Sequence, residues 1–444
     1  MGAFSATMYD GCGTDRAALE GKGERMARWR RNLTAIWLAQ MLAIVGFNTR
    51  SPFYVFFLRD DLGVHSLRAL TLWSGVLNSA GALTMMITAP IWGVVADRYG
   101  RKPMVVRAMG CGFLLATLSS FAQHPWHLLV LRMLEGATLG TVSASVAFVA
   151  SAVPRDRLGF SLGLMQMAVF SGASIGPLVG GYLSDALGYR HTLLVSGTLL
   201  GLGALVALIF VHEDFVPRAA TAAKRPSFLA TTRGHLSNKL LLVLIVVPML
   251  EQTANQSVAP IVPLFVQHLI SAGQNPASIT GLMLGLGGVA GAISAVVFGR
   301  MSDKVNPKYI LLACLMIGGF SYAPQGLAPT IIVLIGFRLL FGLTTGGVGP
   351  TTNALIAEIT PPEERGSVFG LLSASTSAGG LIGPLGASTL AAVTSLRVPF
   401  FLTGLMLLFA ALWVWRAVPQ SIADAARGDA PLPAPAPSPA ARQP

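Results

Sequence analysis

Twelve stretches of this chain are apolar and long enough to cross about 30 Å of hydrocarbon as helices. They lie near 33–58, 70–95, 104–123, 127–151, 159–183, 191–212, 240–268, 278–299, 308–325, 330–356, 366–391 and 398–416, and are numbered spans 1 to 12 in that order. Inside a bilayer no water is available to backbone N–H and C=O groups, so such runs must be helical and must pack on one another. The chain is 53% hydrophobic and only 11% charged, too apolar to cover a soluble surface of its size. The expected fold is an all-α integral membrane protein of twelve transmembrane helices.

The charges orient it. In a soluble protein a formal net charge of +12 would suggest a nucleic-acid partner. Here the bases gather in the tails and loops of one face, so no nucleic acid is expected and the partner is the lipid bilayer. Only Arg59, Arg68, Arg190 and Arg397 sit in loops of the other face, and Arg50, Arg132 and Arg338 fall inside spans. Positive loops stay in the cytoplasm. Both termini are therefore expected there, with the chain multi-pass in a bacterial inner (cytoplasmic) membrane and working as a monomer.

The same pattern divides the chain into a cytoplasmic N-terminal tail (1–32), a six-helix half (33–212), a basic cytoplasmic linker (213–239), a second six-helix half (240–416) and a disordered Pro/Ala-rich tail (417–444). Met1-Gly2 lacks the Ser or Thr at position six that myristoylation needs, and no signal peptide is evident. Met26 is an alternative start.

Several functions are disfavoured. Cys12, Cys111 and Cys314 make neither a metal spacing nor a disulfide framework. No phosphate-binding loop of the G-x-x-x-x-G-K-[ST] type occurs, and no nucleophile–base set suggests an enzyme. No metal or cofactor is expected.

The two halves repeat. Gly93 and Asp97 match Gly299 and Asp303 at an offset of 206, and Arg132 and Gly136 match Arg338 and Gly342 at the same offset. Gly159, Gly172, Gly176 and Pro177 match Gly366, Gly379, Gly383 and Pro384 at 207. A parallel six-helix duplication places the substrate path between the halves, near the midplane.

Between spans 2 and 3 lies Gly93-Val94-Val95-Ala96-Asp97-Arg98-Tyr99-Gly100-Arg101-Lys102. The pattern G-x-x-x-D-R-x-G-R-K resembles the loop signature of the major facilitator superfamily. The resemblance implies that Asp97 latches the halves shut on the cytoplasmic face, against the start of span 11 at Gly366. There unpaired N–H groups and the positive end of the helix dipole meet a carboxylate. The alternative is an acid that only caps a tight turn with Arg98 or Arg101. The second-half copy keeps Asp303 but has Asn306 where Gly100 stands, and Asn is the next most tolerant of a left-handed backbone.

Span 5 carries Gly172, Gly176 and Gly180 every four residues, with Pro177 and Gly181. Such a stripe lets another helix approach closely, and glycine-rich span 8 (Gly281, Gly285, Gly288, Gly291) is the expected partner. G-x-x-x-G-P-x-x-G-G resembles the superfamily's antiporter motif, which implies export rather than symport. Generic small-residue packing would give the same stripe.

Intramembrane charges are functional candidates by default. Arg132 and Glu135 share a face of span 4, Arg50 follows Asn48 in span 1, and Glu251 stands in span 7 with Gln252, Asn255 and Gln256. Arg338 in span 10 is the repeat copy of Arg132 without a following acid. Leu-Arg-Met-Leu-Glu-Gly resembles the span-4 motif of the superfamily, whose arginine assists proton movement. In that fold spans 1, 4, 7 and 10 line the cavity, so these groups are expected to meet, with Glu251 facing the others as a protonation or cargo site. A purely structural role for the Arg132–Glu135 pair is the alternative. Phe47, Met165, Met167, Phe170 and Phe341 are further candidates for the cavity wall, though such side chains also serve as packing.

Trp29-Arg30-Arg31-Asn32-Leu33, Leu72-Trp73-Ser74-Gly75, Arg101-Lys102-Pro103-Met104 and Ser257-Val258-Ala259-Pro260-Ile261 resemble the multidrug exporters among the twelve-helix drug:proton antiporters. The likeness implies proton-coupled export of small organic molecules by alternating access. Arg50, Glu135 and Glu251 depart from that branch. They leave open a polar or anionic metabolite such as a siderophore. Two other readings are a nutrient symporter, against which the Gly-Pro motif of span 5 counts, and a sensor that no longer transports, against which the Asp97 loop and the buried charges count.

Overall fold

The computed structural model describes residues 10–154, 157–213, 239–271, 273–301, 305–360 and 365–419. Side chains before Trp29 and those of Asp97, Ala357 and Ser367 lie outside the description, as do most of the linker (214–238) and nearly all of the C-terminal tail (420–444). The described residues contain helices and no strands.

Twelve helical segments are long and apolar enough to span a membrane: Trp29–Asp60, Leu67–Ala96, Arg101–Ser120, Pro125–Ala152, Leu158–Leu187, Tyr189–Phe210, Lys239–Val258, Pro276–Met301, Pro307–Leu327, Ile331–Ile356, Val368–Val393 and Val398–Ala417. They correspond one to one with the expected runs. The helix of span 1 already begins at Asp10, inside the expected polar tail.

Three spans are interrupted. Span 1 passes through a short 3-10 turn at Ser51–Phe53 before its outer helix Tyr54–Asp60. Span 7 breaks after Val258 and resumes as Val262–Leu269. Pro52 and Pro260 sit at these breaks, where a missing N–H ends the helical ladder. Span 4 breaks between Thr138 and Thr141, at Gly140 with φ +134.

The repeat recurs in packing. Gly136 is pressed against the Gly81 carbonyl of span 2, and Gly342 against the Gly287 carbonyl of span 8. Gly172, Gly176 and Gly180 lie on span 1, where a Cβ at Gly176 would stand 2.5 Å from Asn48 Cβ. Their counterparts Gly379 and Gly383 lie on span 7, against Met249, Thr253 and Ser257. Every one of these contacts is internal to a half.

This corrects the expectation for span 5. The every-fourth-residue glycine stripe does not meet span 8. That contact uses the neighbouring face, where Gly281 meets Pro177 and Gly181, and Gly285 and Gly288 meet Ser174. A helix with small residues on two adjacent faces can serve two partners.

The halves join along two seams, span 5 with span 8 and span 2 with span 11. On the second seam Gly75 packs on Pro384 and Ser388, and Ser79 Oγ donates to the Leu381 carbonyl at 2.7 Å. All these cross-half contacts lie toward the face that carries few bases. Near the basic face, Gly93, Gly159, Gly163, Gly299 and Gly370 have open space where a Cβ would stand. The described contacts that join the halves close the face with few bases.

The loop between spans 2 and 3 turns on Gly100, whose φ of +97 is strained for other residues. The Glu213 carboxylate, at the end of span 6, accepts from the backbone N–H of Arg101 at 2.9 Å and of Lys102 at 2.7 Å. It supplies two of the acceptors that the first turn of span 3 lacks. Asn306 does not reproduce Gly100. Its φ is −52, and its side chain instead accepts from the Lys308 N–H at 3.0 Å as an ordinary helix cap.

Candidate functional site

Between the halves lies a cavity of about 710 Å³, walled by spans 1, 2, 4, 7 and 10 with spans 5, 8 and 11 at its sides. Its wall is polar for a membrane protein. Asn48 and Asn78 come from the first half, and Gln252, Asn255 and Gln256 from the second. Those three occupy one face of span 7 because residues three and four apart share a helical stripe.

In the first half, Arg50, Arg132 and Glu135 do come together. Glu135 pairs through Oε1 with Arg50 Nη2, and through Oε2 with Arg132 Nη1 at 2.9 Å. Arg50 and Glu135 are each 2% exposed. One carboxylate accepting from two guanidinium groups satisfies both its oxygens, which an acid this deeply buried requires. Tyr54, just beyond the break in span 1, accepts from Arg50 Nη1 at 3.0 Å. The Phe47 ring lies 5.6 Å from the Arg50 guanidinium and 5.5 Å from that of Arg132. The sequence reading missed Tyr54. Its spacing of four from Arg50 was the available signal.

The second half is built differently. Arg338 lines the cavity at the repeat position of Arg132. Phe341 stands where Glu135 stands in the first half, with its ring 5.3 Å from the Arg338 guanidinium. Arg338 also lies beside the Tyr322 hydroxyl, which donates to the Ala254 carbonyl at 3.1 Å. Glu251 does not join the charges of the first half. It sits at the edge of the lining face of span 7, within electrostatic reach of Tyr322 and Cys314, and forms no ion pair among the described residues.

The other expected wall residues divide. Phe47 lines the cavity, and Phe341 lies behind Arg338. Met165 is buried in the core of the first half, while Met167 and Phe170 do not reach the cavity. For the expected latch, the Asp97 side chain and Asp303 lie outside the described residues. Arg98 is exposed beside Tyr99, and Arg101 bonds the Ala147 carbonyl within its own half.

Two duplicated six-helix halves around a polar central cavity define a secondary transporter of the alternating-access class. The family model described as Major Facilitator Superfamily matches residues 36–269 and 244–443. The chain belongs to that superfamily. It is 34% identical over 383 residues to "Multidrug resistance protein MdtG" of Rahnella sp. (strain Y9602), covering 86% of this chain and 92% of that one. With the protein of the same name from Proteus mirabilis (strain HI4320) it shares 33% over 391 residues, covering 87% and 96%. Among solved structures it is similar in fold to an inward-facing, unoccupied bacterial homologue of the human lysosomal transporter Spinster. That likeness has a TM-score of 0.73 at 15% identity, over 92% of this chain and 99% of that one. The human organic anion transporter MFSD10 (TETRAN) is similar at a TM-score of 0.64 and 19% identity, over 87% and 99%.

Proposed function

We propose that this protein exports small organic molecules from the bacterial cytoplasm in exchange for protons. The observation that carries the reading is the polar cavity at the junction of the halves, with the described contacts between the halves gathered on the face with few bases. With the basic face in the cytoplasm, this is the inward-open state, ready to load cargo from inside. The relatives named multidrug resistance proteins support the direction of transport. Both termini then lie in the cytoplasm, and one chain forms the whole path.

Glu251 is our candidate for the proton site. Glu135 is held by two arginines, which leaves little reason for it to exchange its proton. Glu251 has no such partners, and a lone carboxylate responds to the water content of its surroundings. Asp97 is our candidate for the inward-face latch in the opposite, outward-open state.

Inside-out vesicles or proteoliposomes test the reading. An imposed proton gradient should drive accumulation of at least one compound from a drug and metabolite panel, with protons moving the other way. A protein that catalyses uptake together with protons, or moves nothing across such a panel, would refute export.

A further inference from the structure

Charge in the cavity wall is one-sided. Of the residues that line it, Arg132 and Arg338 are the charged ones, and no carboxylate lines it among the described residues. Glu135 lies behind Arg132 as its partner and is itself shared with Arg50, so that cluster keeps one positive charge in excess. Arg338 has no carboxylate in ion-pair contact among the described residues. Both Arg338 and Glu251 act on Tyr322, but the two do not pair with each other among the described residues.

Both arginines are more than nine-tenths buried, at 5% and 7% exposure. Arg132 Nε and Arg338 Nη1, both shielded from the cavity, have no hydrogen-bond partner among the described residues. Arg132 has Glu135 to receive it, but Arg338 has no acid among the described residues, and taking a guanidinium out of water without one is unfavourable unless something else completes it. The placement is also symmetric. Gly81 lies beneath Arg132 and Gly287 beneath Arg338, each pair at an offset of 206. The duplication thus sets one arginine in each half at matching depth, on opposite walls of the same cavity.

Resting on the transport reading, we infer that the cargo is a small organic carboxylate, held between Arg132 and Arg338 with one half gripping each side. A guanidinium presents a planar fork of donors that fits a carboxylate, which an ammonium or an amide does not. The amides of Asn48, Gln252 and Asn255 suit the polar part of such a molecule, and Phe47 offers it an apolar face. Because the two arginines belong to different halves, the anion itself bridges the parts that must move.

The test is equilibrium binding to the full-length protein in lipid nanodiscs, by calorimetry. The probes are matched pairs, benzoate with benzamide and indole-3-acetate with indole-3-acetamide, alongside the cation tetraphenylphosphonium. The carboxylates should bind at least tenfold more tightly than their amides. Arg338→Gln should cut that preference several-fold, leaving the share that Arg132 supplies. It strands no acid, so folding should survive, and thermal melting checks this. Arg338→Lys should restore part of the preference, through charge without the fork.

Amides or the cation binding as tightly as the carboxylates, no binding by any carboxylate, or an undiminished preference in Arg338→Gln would each overturn the assignment. If the same protein reconstituted in proteoliposomes moves tetraphenylphosphonium in exchange for protons, the transport reading stands and only the carboxylate falls.

Discussion

The Asp185 carboxylate accepts a hydrogen bond from the backbone N–H of Ser278 at 2.6 Å. Asp185 lies in the last turn of span 5, and Ser278 in the first turn of span 8. The bond therefore crosses the seam between the halves on the sealed face. It joins a negative charge to the positive end of a helix dipole, the arrangement expected of Asp97 and span 11 on the opposite face. Asp185→Asn keeps the shape and loses the charge, at a cost of about 1 kcal/mol. That is roughly a fivefold shift toward the outward-open state. Spin-label distances across the sealed face should lengthen, and Asp97→Asn should produce the converse change. Identical distance distributions in wild type and Asp185→Asn would remove the bond from the gating account.

Gly176→Leu should strike span 1 rather than the seam. Its side chain would have to enter the space held by Asn48 Cβ and the Val45 carbonyl, the latter 2.9 Å from a Cβ at that site. Overpacking of this kind costs about 1–3 kcal/mol or more. The variant should melt lower and lose transport, while the distance between labels on spans 5 and 8 stays as in wild type. A normal melting temperature would place the stripe against something softer than a helix backbone.

Glu135→Gln leaves Arg50 and Arg132 facing each other with half their acceptors gone. Removing one member of a buried ion network costs about 3–5 kcal/mol. Expression and thermal stability should drop sharply, and Arg50→Met combined with Glu135→Gln should recover part of the loss. Additive losses in the double variant would argue that the two residues act independently.

Glu251→Gln should abolish transport driven by a pH gradient but spare binding and cargo-for-cargo exchange, because the neutral amide stands in for the protonated acid. Wild-type proton-driven rates at saturating cargo would eliminate Glu251 as the proton site.

If one carboxylate leaves for each proton that enters, two positive charges move inward per cycle. Each is worth about 2.3 kcal/mol per 100 mV of potential. Export should then rise steeply with a potassium diffusion potential imposed through valinomycin, negative on the side from which cargo departs. A rate insensitive to that potential would contradict this stoichiometry.

The architecture was legible in the sequence because it rests on run length and arithmetic. Twelve apolar stretches and offsets of 206 and 207 survive any uncertainty about packing. The Arg132–Glu135 pair was legible because residues three apart on a helix are neighbours. Partner choice was not. Periodicity reveals that Gly172, Gly176 and Gly180 share a face, but not which helix that face meets. Asp185 and Glu213 were missed because both bond backbone N–H groups far away in the chain, and a backbone donor carries no residue signature. Glu251 was expected opposite the first-half charges, but it does not line the cavity beside Gln252, Asn255 and Gln256, and its electrostatic neighbours are Tyr322 and Cys314.

The breaks in spans 1 and 7 give each helix a stem and a separate tip, Tyr54–Asp60 and Val262–Leu269. Arg50 ends the stem of span 1, yet its guanidinium holds both Tyr54 on the tip and Glu135 in span 4. It acts as a pin through a hinge. Swinging the tip outward would pull on the buried ion network, and cargo resting against Arg132 would stiffen that same network. The wall of the cavity at Arg132 and the outer tip at Tyr54 are thereby joined through Glu135 and one arginine side chain.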